Sequence, residues 1–217
     1  NILEVTTNEP ENINTTYDYS SFIADFIPFD FGYSVADIEQ GPDGLVYLAL
    51  DGTYPVFSNP ERKGGGILVI DIDNPLNAVS IDTSVLSYYT SSSSNRPYIV
   101  VKDLEFDREG NLWVANAFST NKNAPIHVKS PDGNWKSYGS SETQIKISQS
   151  PISLSFDSWN RPWFGAFKAE EANLGTYPDG GIFGLTVEGK PYQPENFLWA
   201  SVLTNTTVWS IAFGKNN

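Results

Sequence analysis

The chain repeats one short sequence pattern three times and begins it a fourth time. The copies begin at Asp37, Asp103, Ser153 and Ser210, so that successive copies are 66, 50 and 57 residues apart. Each complete copy has an apolar-alternating segment, a turn that ends in Gly or Asn, and a second apolar segment. Period-two alternation indicates β-strands, and Gly or Asn accepts the positive φ of a tight hairpin. The pattern therefore predicts an all-β array of similar units.

Each unit contains four candidate strands. In the second unit they are Val101–Phe106, Asn111–Asn116, Pro125–Lys129 and Trp135–Tyr138. Four antiparallel strands in chain order make one blade of a β-propeller. We therefore predict an all-β, partial β-propeller of three four-stranded antiparallel blades plus the first strand of a further blade. The predicted divisions are a lead segment that supplies outer strands of a preceding blade (1–33), blade one (34–96), blade two (97–147), blade three (148–205) and the truncated blade (206–217).

Two segments near the blade boundaries receive specific predictions. The Ser-rich segment Ser91–Pro97 is predicted to be a linker between blades one and two, and Val208–Phe213 the first strand of the truncated blade. An open array of three blades would leave strand edges and an apolar blade face exposed. We therefore expect this chain to be a piece of a longer protein. The remainder of its own propeller, or a protein partner, is expected to cover that face.

Composition narrows the classes of function. The chain has 13 basic and 26 acidic residues and a net charge of −13, and its longest basic cluster is Arg62-Lys63. Nucleic acids and anionic membranes require a basic surface, so the sequence predicts neither a nucleic-acid partner nor membrane insertion. There is no cysteine, which excludes a disulfide framework and a thiol nucleophile. Abundant Asn, Ser and Thr with few Lys favour an exported protein, whether extracellular, on the cell surface or periplasmic.

The segment Val101–Ala115 carries a family resemblance. Its core, Asp107-Arg-Glu-Gly-Asn-Leu-Trp113, resembles the two-component regulator propeller repeat. The resemblance implies a propeller of the kind found in periplasmic sensors and in exported, type IX secretion-associated proteins of Bacteroidetes-type bacteria. Blade one departs from the pattern with Tyr47 in place of Trp, and blade three with Pro162 in place of Leu. Streptogramin lyase propellers have a similar repeat, so the resemblance implies a blade more directly than an activity.

Paired carboxylates occur on two of the predicted first strands. Side chains two residues apart on a strand share a face, so Asp37 points with Glu39, and Asp103 with Glu105. If adjacent blades bring these faces together, four acids meet near the central channel and must be protonated or bridged by a cation. Calcium, which takes about six to eight oxygen ligands, is the candidate ion, although the fold requires no cofactor. The alternative is a wide channel in which the acids are simply solvated.

Aromatic residues occupy an equivalent place in the three second strands. Tyr47, Trp113 and Trp163 are predicted to pack between neighbouring sheets, with stacking on a ligand as the alternative. The candidates for facing a ligand lie instead on a turn and in the loop region after the second strand of blade three. These candidates are Trp159, Tyr177 and Asp179.

Candidate catalytic groups are few, and no catalytic residue is assigned. His127 is the only histidine, and its place in a third strand predicts an exposed or half-buried side chain away from the channel. The sequence has no nucleophile elbow and no phosphate-binding loop. It therefore predicts a non-enzymatic binding or scaffold module of a larger cell-surface or secreted assembly. The alternatives are a streptogramin-lyase-like enzyme and a periplasmic ligand-sensing propeller of a two-component system.

Overall fold

Antiparallel β-strands joined by tight turns make up most of this computed structural model. It describes residues 2–5, 13–17, 34–52, 65–74, 77–91, 94–119, 124–139, 142, 148–168, 180–185, 203 and 206–214. In chain order the strands are β1 (Ile2–Val5), β2 (Ile13–Tyr17), β3 (Ser34–Gln40), β4 (Val46–Asp51), β5 (Gly66–Ile70), β6 (Val79–Ile81), β7 (Tyr89–Ser91), β8 (Ser94–Tyr98), β9 (Val100–Phe106), β10 (Leu112–Ala117), β11 (Ile126–Lys129), β12 (Trp135–Tyr138), β13 (Pro151–Phe156), β14 (Pro162–Ala166) and β15 (Gly181–Gly184).

The strands pair in chain order within successive blades. The first blade is β3–β4–β5–β6, the second is β9–β10–β11–β12, and β13–β14–β15 belong to the third. The pairing of Asp51 with Val100 joins β4 of the first blade to β9 of the second. The predicted all-β propeller fold is therefore confirmed. The predicted division of the chain into blades stays a prediction, because the fourth strand of blade three falls outside the described residues except for Leu203.

The segment Ser91–Pro97, predicted to link blades one and two, follows β6 of the first blade and precedes β9 of the second. It contributes to a hairpin in which β7 pairs with β8, and the rings of Tyr89 and Tyr98 lie 5.1 Å apart. The contact between these two rings holds the two arms of the hairpin together.

Residues 206–214 do not form the predicted regular strand, because no described strand forms a ladder with Val208–Phe213. The segment nevertheless lies beside blade three. The Val208 N–H donates to the Ala166 carbonyl at 3.0 Å, and the ring of Phe213 lies 6.0 Å from that of Trp163. The segment therefore packs on β14, just as β9 packs on β4 and β13 packs on β10.

The core lies between neighbouring blades, where large rings meet. In each blade the aromatic residue of the second strand packs on the phenylalanine that follows in the next copy of the repeat. The pairs and their ring-centroid distances are Tyr47–Phe106 (5.2 Å), Trp113–Phe156 (6.0 Å) and Trp163–Phe213 (6.0 Å). Tyr47, Trp113 and Trp163 are all buried. A ring of this kind removes about 150–250 Å² from water, so these contacts are major sources of packing energy.

An aspartate at the start of the turn between the first two strands holds both the turn and the ring. In blade three, Asp157 Oδ1 accepts hydrogen bonds from the backbone N–H groups of Trp159 (2.9 Å) and Arg161 (3.0 Å). Its Oδ2 accepts one from the indole Nε1–H of Trp163 (2.9 Å). Asp107 makes the same contacts with the turn and the ring of Trp113 in blade two.

Replacing Asp157 with alanine should destabilise the protein by about 3 kcal/mol, because the buried indole N–H and the turn donors lose a charged acceptor. Urea unfolding followed by circular dichroism measures this loss. Asp132→Ala is the matched control, since Asp132 accepts turn hydrogen bonds from Ser130 and Asn134 but is exposed. Equal losses in the two variants would contradict the role given to the buried carboxylate.

Candidate functional site

The predicted carboxylates meet where adjacent blades touch. β3 lies against β9, and β9 lies against β13. Asp37 Oδ2 accepts a hydrogen bond from the Leu104 N–H at 3.0 Å, and Asp103 Oδ2 accepts one from the Leu154 N–H at 2.7 Å. Asp37 and Asp103 occupy the same place in successive copies of the repeat, and so do the two leucines. One side chain-to-backbone contact is thus repeated at two blade junctions.

The third copy breaks this series. Ser153 occupies the place of the two aspartates, and its side chain is buried. Among the described residues its Oγ has no hydrogen-bond partner. A serine hydroxyl is one carbon shorter than a carboxylate, so it does not reach as far across a junction.

Burial and neighbouring carboxylates raise the pKa values of Asp103, Glu105 and Glu39. Burial raises the pKa of Asp103 to about 8; the Leu154 N–H opposes this rise, whereas the charge of Asp37 and a hydrogen bond with it add to it. Burial, and then the charges of Glu39 and Asp37, raise the pKa of Glu105 to about 7. Burial and the charge of Asp37 also raise the pKa of Glu39. The cluster therefore holds protons at neutral pH that isolated carboxyl groups would release.

All four acids are half-buried, and the alternative of a wide channel with solvated acids stays a prediction. Asp37 and Asp103 are part of the blade junctions, and a proton on Asp103 relieves its repulsion with Asp37. Within the described ranges, no three acidic or histidine side chains form a group that could hold a metal ion. Calcium binding by Asp37, Glu39, Asp103 and Glu105 stays a prediction.

The raised pKa values predict that the protein loses stability as pH rises. Between the ordinary aspartate pKa of 3.8 and about 8, Asp103 keeps its proton in the folded state and loses it on unfolding. The folded state then binds more protons than the unfolded state, so the free energy of unfolding falls with increasing pH. Asp103→Asn removes this titration while its amide oxygen can still accept the Leu154 N–H. We expect the variant to be more stable than the parent at pH 8 and to show a flatter pH profile.

Urea unfolding at a series of pH values between 4 and 9 checks this expectation. Asp73→Asn is the control, because it removes one carboxyl from an exposed turn outside the cluster. Parallel pH profiles for the parent and Asp103→Asn would show that Asp103 does not hold a proton in the folded state.

His127 is fully buried, so the prediction of an exposed or half-buried side chain is wrong. Its Nε2 accepts the backbone N–H of Ser87 at 3.1 Å, and its Nδ1 lies 2.8 Å from the Ser137 Oγ. The Asn116 Nδ2 lies 3.3 Å from the Nε2 and donates to the Ser87 carbonyl at 2.7 Å. The histidine ties the loop before β7 to β10, β11 and β12.

The Ser87 contact decides which ring nitrogen carries the proton. A backbone N–H can only donate, so the His127 Nε2 is the acceptor and the proton of the neutral ring lies on Nδ1. Nδ1–H then donates to the Ser137 Oγ. A histidine that donates to a serine cannot also remove its proton, so in this geometry His127 does not activate Ser137 as a nucleophile.

A long-range proton–nitrogen NMR spectrum of the protein should show His127 with a protonated Nδ1 and an unprotonated Nε2. Assignment is unambiguous because the chain has one histidine. A spectrum with the proton on Nε2, or with rapid exchange between the two nitrogens, would be incompatible with the buried network.

The remaining ligand-facing candidates have different outcomes. Trp159 is 68% exposed, as expected for a turn residue, and the Arg161 guanidinium lies 4.7 Å from its ring centroid. Its role in ligand binding stays a prediction. Tyr177 and Asp179 lie outside the described residues.

Sequence reasoning missed a cavity between the turns of the first two blades. It has a volume of about 280 Å³, and its walls include Pro42, Tyr47, Gly110 and Lys129. The available signal was a difference between copies of the repeat: blade one has Pro42 where blade two has Arg108. A periodic pattern draws attention to what the copies share, whereas this cavity arises where they differ.

No protein-family model and no curated protein matches the chain. Among solved structures, a luciferin-regenerating enzyme is 11% identical, with a TM-score of 0.48 over 88% of this chain and 53% of its own. The Dos1 propeller is 11% identical, with a TM-score of 0.45 over 81% of this chain and 39% of its own. The extracellular domain of a protein named as a hybrid two-component system from B. thetaiotaomicron is 15% identical, with a TM-score of 0.37 over 75% of this chain and 22% of its own. The chain thus spans between 22% and 53% of the length of these three proteins.

In the described part of the chain, no helix has the length and apolarity needed to cross a membrane.

Proposed function

We propose that this chain is an exported, non-enzymatic propeller module that binds through one face of β3. We call this the β3 face, and it carries the side chains of Val35 and Ile38. It serves as a binding or scaffold part of a larger cell-surface or secreted assembly. The occupant of the β3 face is a protein: either a partner or the remainder of this chain's own propeller. The supporting observation is that apolar side chains on β3 are exposed, whereas the side chains at the equivalent positions of the next blade are buried.

The two blades differ sharply at equivalent positions. Ile38 on β3 is 59% exposed, whereas its counterpart Leu104 on β9 is fully buried. Val35 is 39% exposed, whereas its counterpart Val101 is fully buried. β9 is covered because β3 lies against it, and β3 pairs with β4 alone among the described strands. An exposed apolar strand face that has a buried equivalent in the same protein is a candidate protein-binding surface.

The backbone of β3 supports the same proposal. Leu104 and Leu154 each donate their N–H to a carboxylate of the preceding blade. Ile38 occupies the equivalent place on β3. A strand that carried an acidic acceptor could therefore dock on β3 with the contact that already joins the blades. Addition of a strand or blade to an exposed sheet is a recurring mode of protein recognition.

The groups best suited to catalysis have structural roles in the described residues. His127 is buried and donates to Ser137 instead of removing its proton. Asp37 and Asp103 accept backbone N–H groups at the blade junctions. These contacts favour a binding module over an acid–base enzyme. The composition, rich in Asn, Ser and Thr and free of Cys, favours export.

Replacing Ile38 with threonine should weaken binding at this face. The parent chain should bind a hydrophobic fluorescent dye such as anilinonaphthalene sulfonate and should self-associate with increasing concentration in sedimentation velocity. Ile38→Thr should reduce both signals, because it replaces an exposed apolar side chain with a polar one and keeps the β-branched shape suited to a strand.

Val79→Thr provides the control, since Val79 on β6 is 61% exposed and lies on the outer strand of the same blade. Equal effects of the two substitutions would indicate general surface hydrophobicity. A parent chain that neither binds the dye nor associates would remove the support for a docking face on β3.

A further inference from the structure

The two clefts between neighbouring turns are built differently. Between blades two and three, the Arg108 N–H donates to the Asn160 Oδ1 at 3.1 Å, and the Arg108 guanidinium donates to the Ser158 carbonyl at 3.2 Å. The Asn160 amide also donates to Glu109. These hydrogen bonds draw the two turns together and close the cleft.

The first cleft lacks the groups that close the second. Pro42 stands where Arg108 stands in the next copy and has no N–H to donate. Gly110 stands where Asn160 stands and has no side chain to receive a hydrogen bond. A Cβ placed on Gly110 would lie 3.4 Å from the Pro42 Cγ and 3.5 Å from the Pro131 Cγ. The cleft therefore remains open as the cavity of about 280 Å³.

The walls of this cavity are mostly rings. Pro42 and Pro131 lie at the turns, and Tyr47 and Phe106 pack edge to face with their centroids 5.2 Å apart. Leu112 adds a buried apolar surface. The volume is close to the lower end of the range of about 300–1,000 Å³ that is typical of small-molecule sites. The cavity thus suits a ligand with one ring.

The polar end of the cavity holds one ammonium group, from Lys129, and one carboxylate, from Asp43. The Lys129 Nζ lies 3.4 Å from the Tyr47 hydroxyl and 5.6 Å from the centre of its ring. Within the described ranges, the Lys129 ammonium has no carboxylate within ion-pair distance. Asp43, the acid in the wall, accepts the Tyr47 O–H at 2.7 Å and the Leu45 N–H at 3.1 Å. Lys129 is therefore the group in this cavity that is available to an anion.

We propose that the cavity between blades one and two binds a small single-ring monocarboxylate. Its ring lies between the prolines and the Tyr47 and Phe106 rings, and its carboxylate receives a charge-assisted hydrogen bond from Lys129. An aromatic acid and a sugar acid share this chemistry. The site uses none of the β3 face residues Val35 and Ile38, so it stands or falls independently of the proposed protein-binding function.

Titrations of the 217-residue chain with benzoate, glucuronate and benzyl alcohol, followed by amide NMR shifts, test the proposal. Benzoate or glucuronate should bind saturably, with the largest shifts at Gly110 and Lys129. The acid that binds more tightly identifies the source of the ligand. Benzyl alcohol, which has the ring of benzoate without its charge, should bind about tenfold more weakly, as expected for the loss of one charge-assisted hydrogen bond.

Two variants and one control localise the binding. Lys129→Gln should weaken acid binding about tenfold. Lys136→Gln should leave it unchanged, although Lys136 likewise lies over a tyrosine ring, at 4.6 Å from the centroid of Tyr138. The double variant Pro42→Arg with Gly110→Asn copies the turn residues of the closed cleft and should abolish binding while the rest of the amide spectrum is retained.

Asparagine is suitable at position 110 because Asn160 already adopts a φ of 61°, near the 81° of Gly110. The proposal is overturned if neither acid binds, if shifts map to another part of the protein, or if Lys129→Gln and Lys136→Gln bind equally well.

Discussion

A carboxylate that accepts a backbone N–H across a blade junction is the contact on which the described structure most depends. The first strand of a blade has an N–H at Leu104 or Leu154 that points away from its own ladder, and an unpaired buried donor is costly. Asp37 and Asp103 supply the acceptors. The same placement buries Asp103 and brings it close to Asp37, and both effects raise the pKa of Asp103. The hydrogen bond that joins the blades and the raised pKa of Asp103 therefore have the same cause, which is the position of this carboxylate at the blade junction.

Buried polar groups recur at other places where strands from separate parts of the chain must meet. Asp157 joins a turn to the ring of Trp163, and His127 joins Ser87 to Ser137. Apolar side chains alone would permit several similar packings, whereas these directional contacts require particular partners. The blades are thus held by ring packing and aligned by hydrogen bonds. This division of roles accounts for the buried hydrogen bonds of His127, the one histidine of the chain.

Local periodicity was enough to predict the strands of the first two blades and their order, because a strand with one buried face must alternate, but it missed the β7–β8 hairpin. Periodicity also predicted that Asp37 and Asp103 lie close together, since equivalent positions in neighbouring blades face one another. It could not show that these acids accept backbone N–H groups, which depends on the distance between blades. Periodicity also could not predict that His127 is buried, because its hydrogen-bond partner Ser87 is 40 residues away in the chain. The cavity beside Lys129 could not be predicted from periodicity, because it depends on how two turns of different sequence lie relative to each other in space.

The junction contact is asymmetric, because one blade contributes a particular side chain and the next contributes only its main chain. Every residue except proline has the required N–H. The receiving strand can therefore change its side chains without losing the contact, provided that its backbone keeps its course. A hydrogen bond of this kind, which the repeats share at two junctions, lets repeats diverge in sequence after duplication while they remain joined. The differences between Pro42 and Arg108, and between Gly110 and Asn160, are the kind of divergence that this hydrogen bond permits.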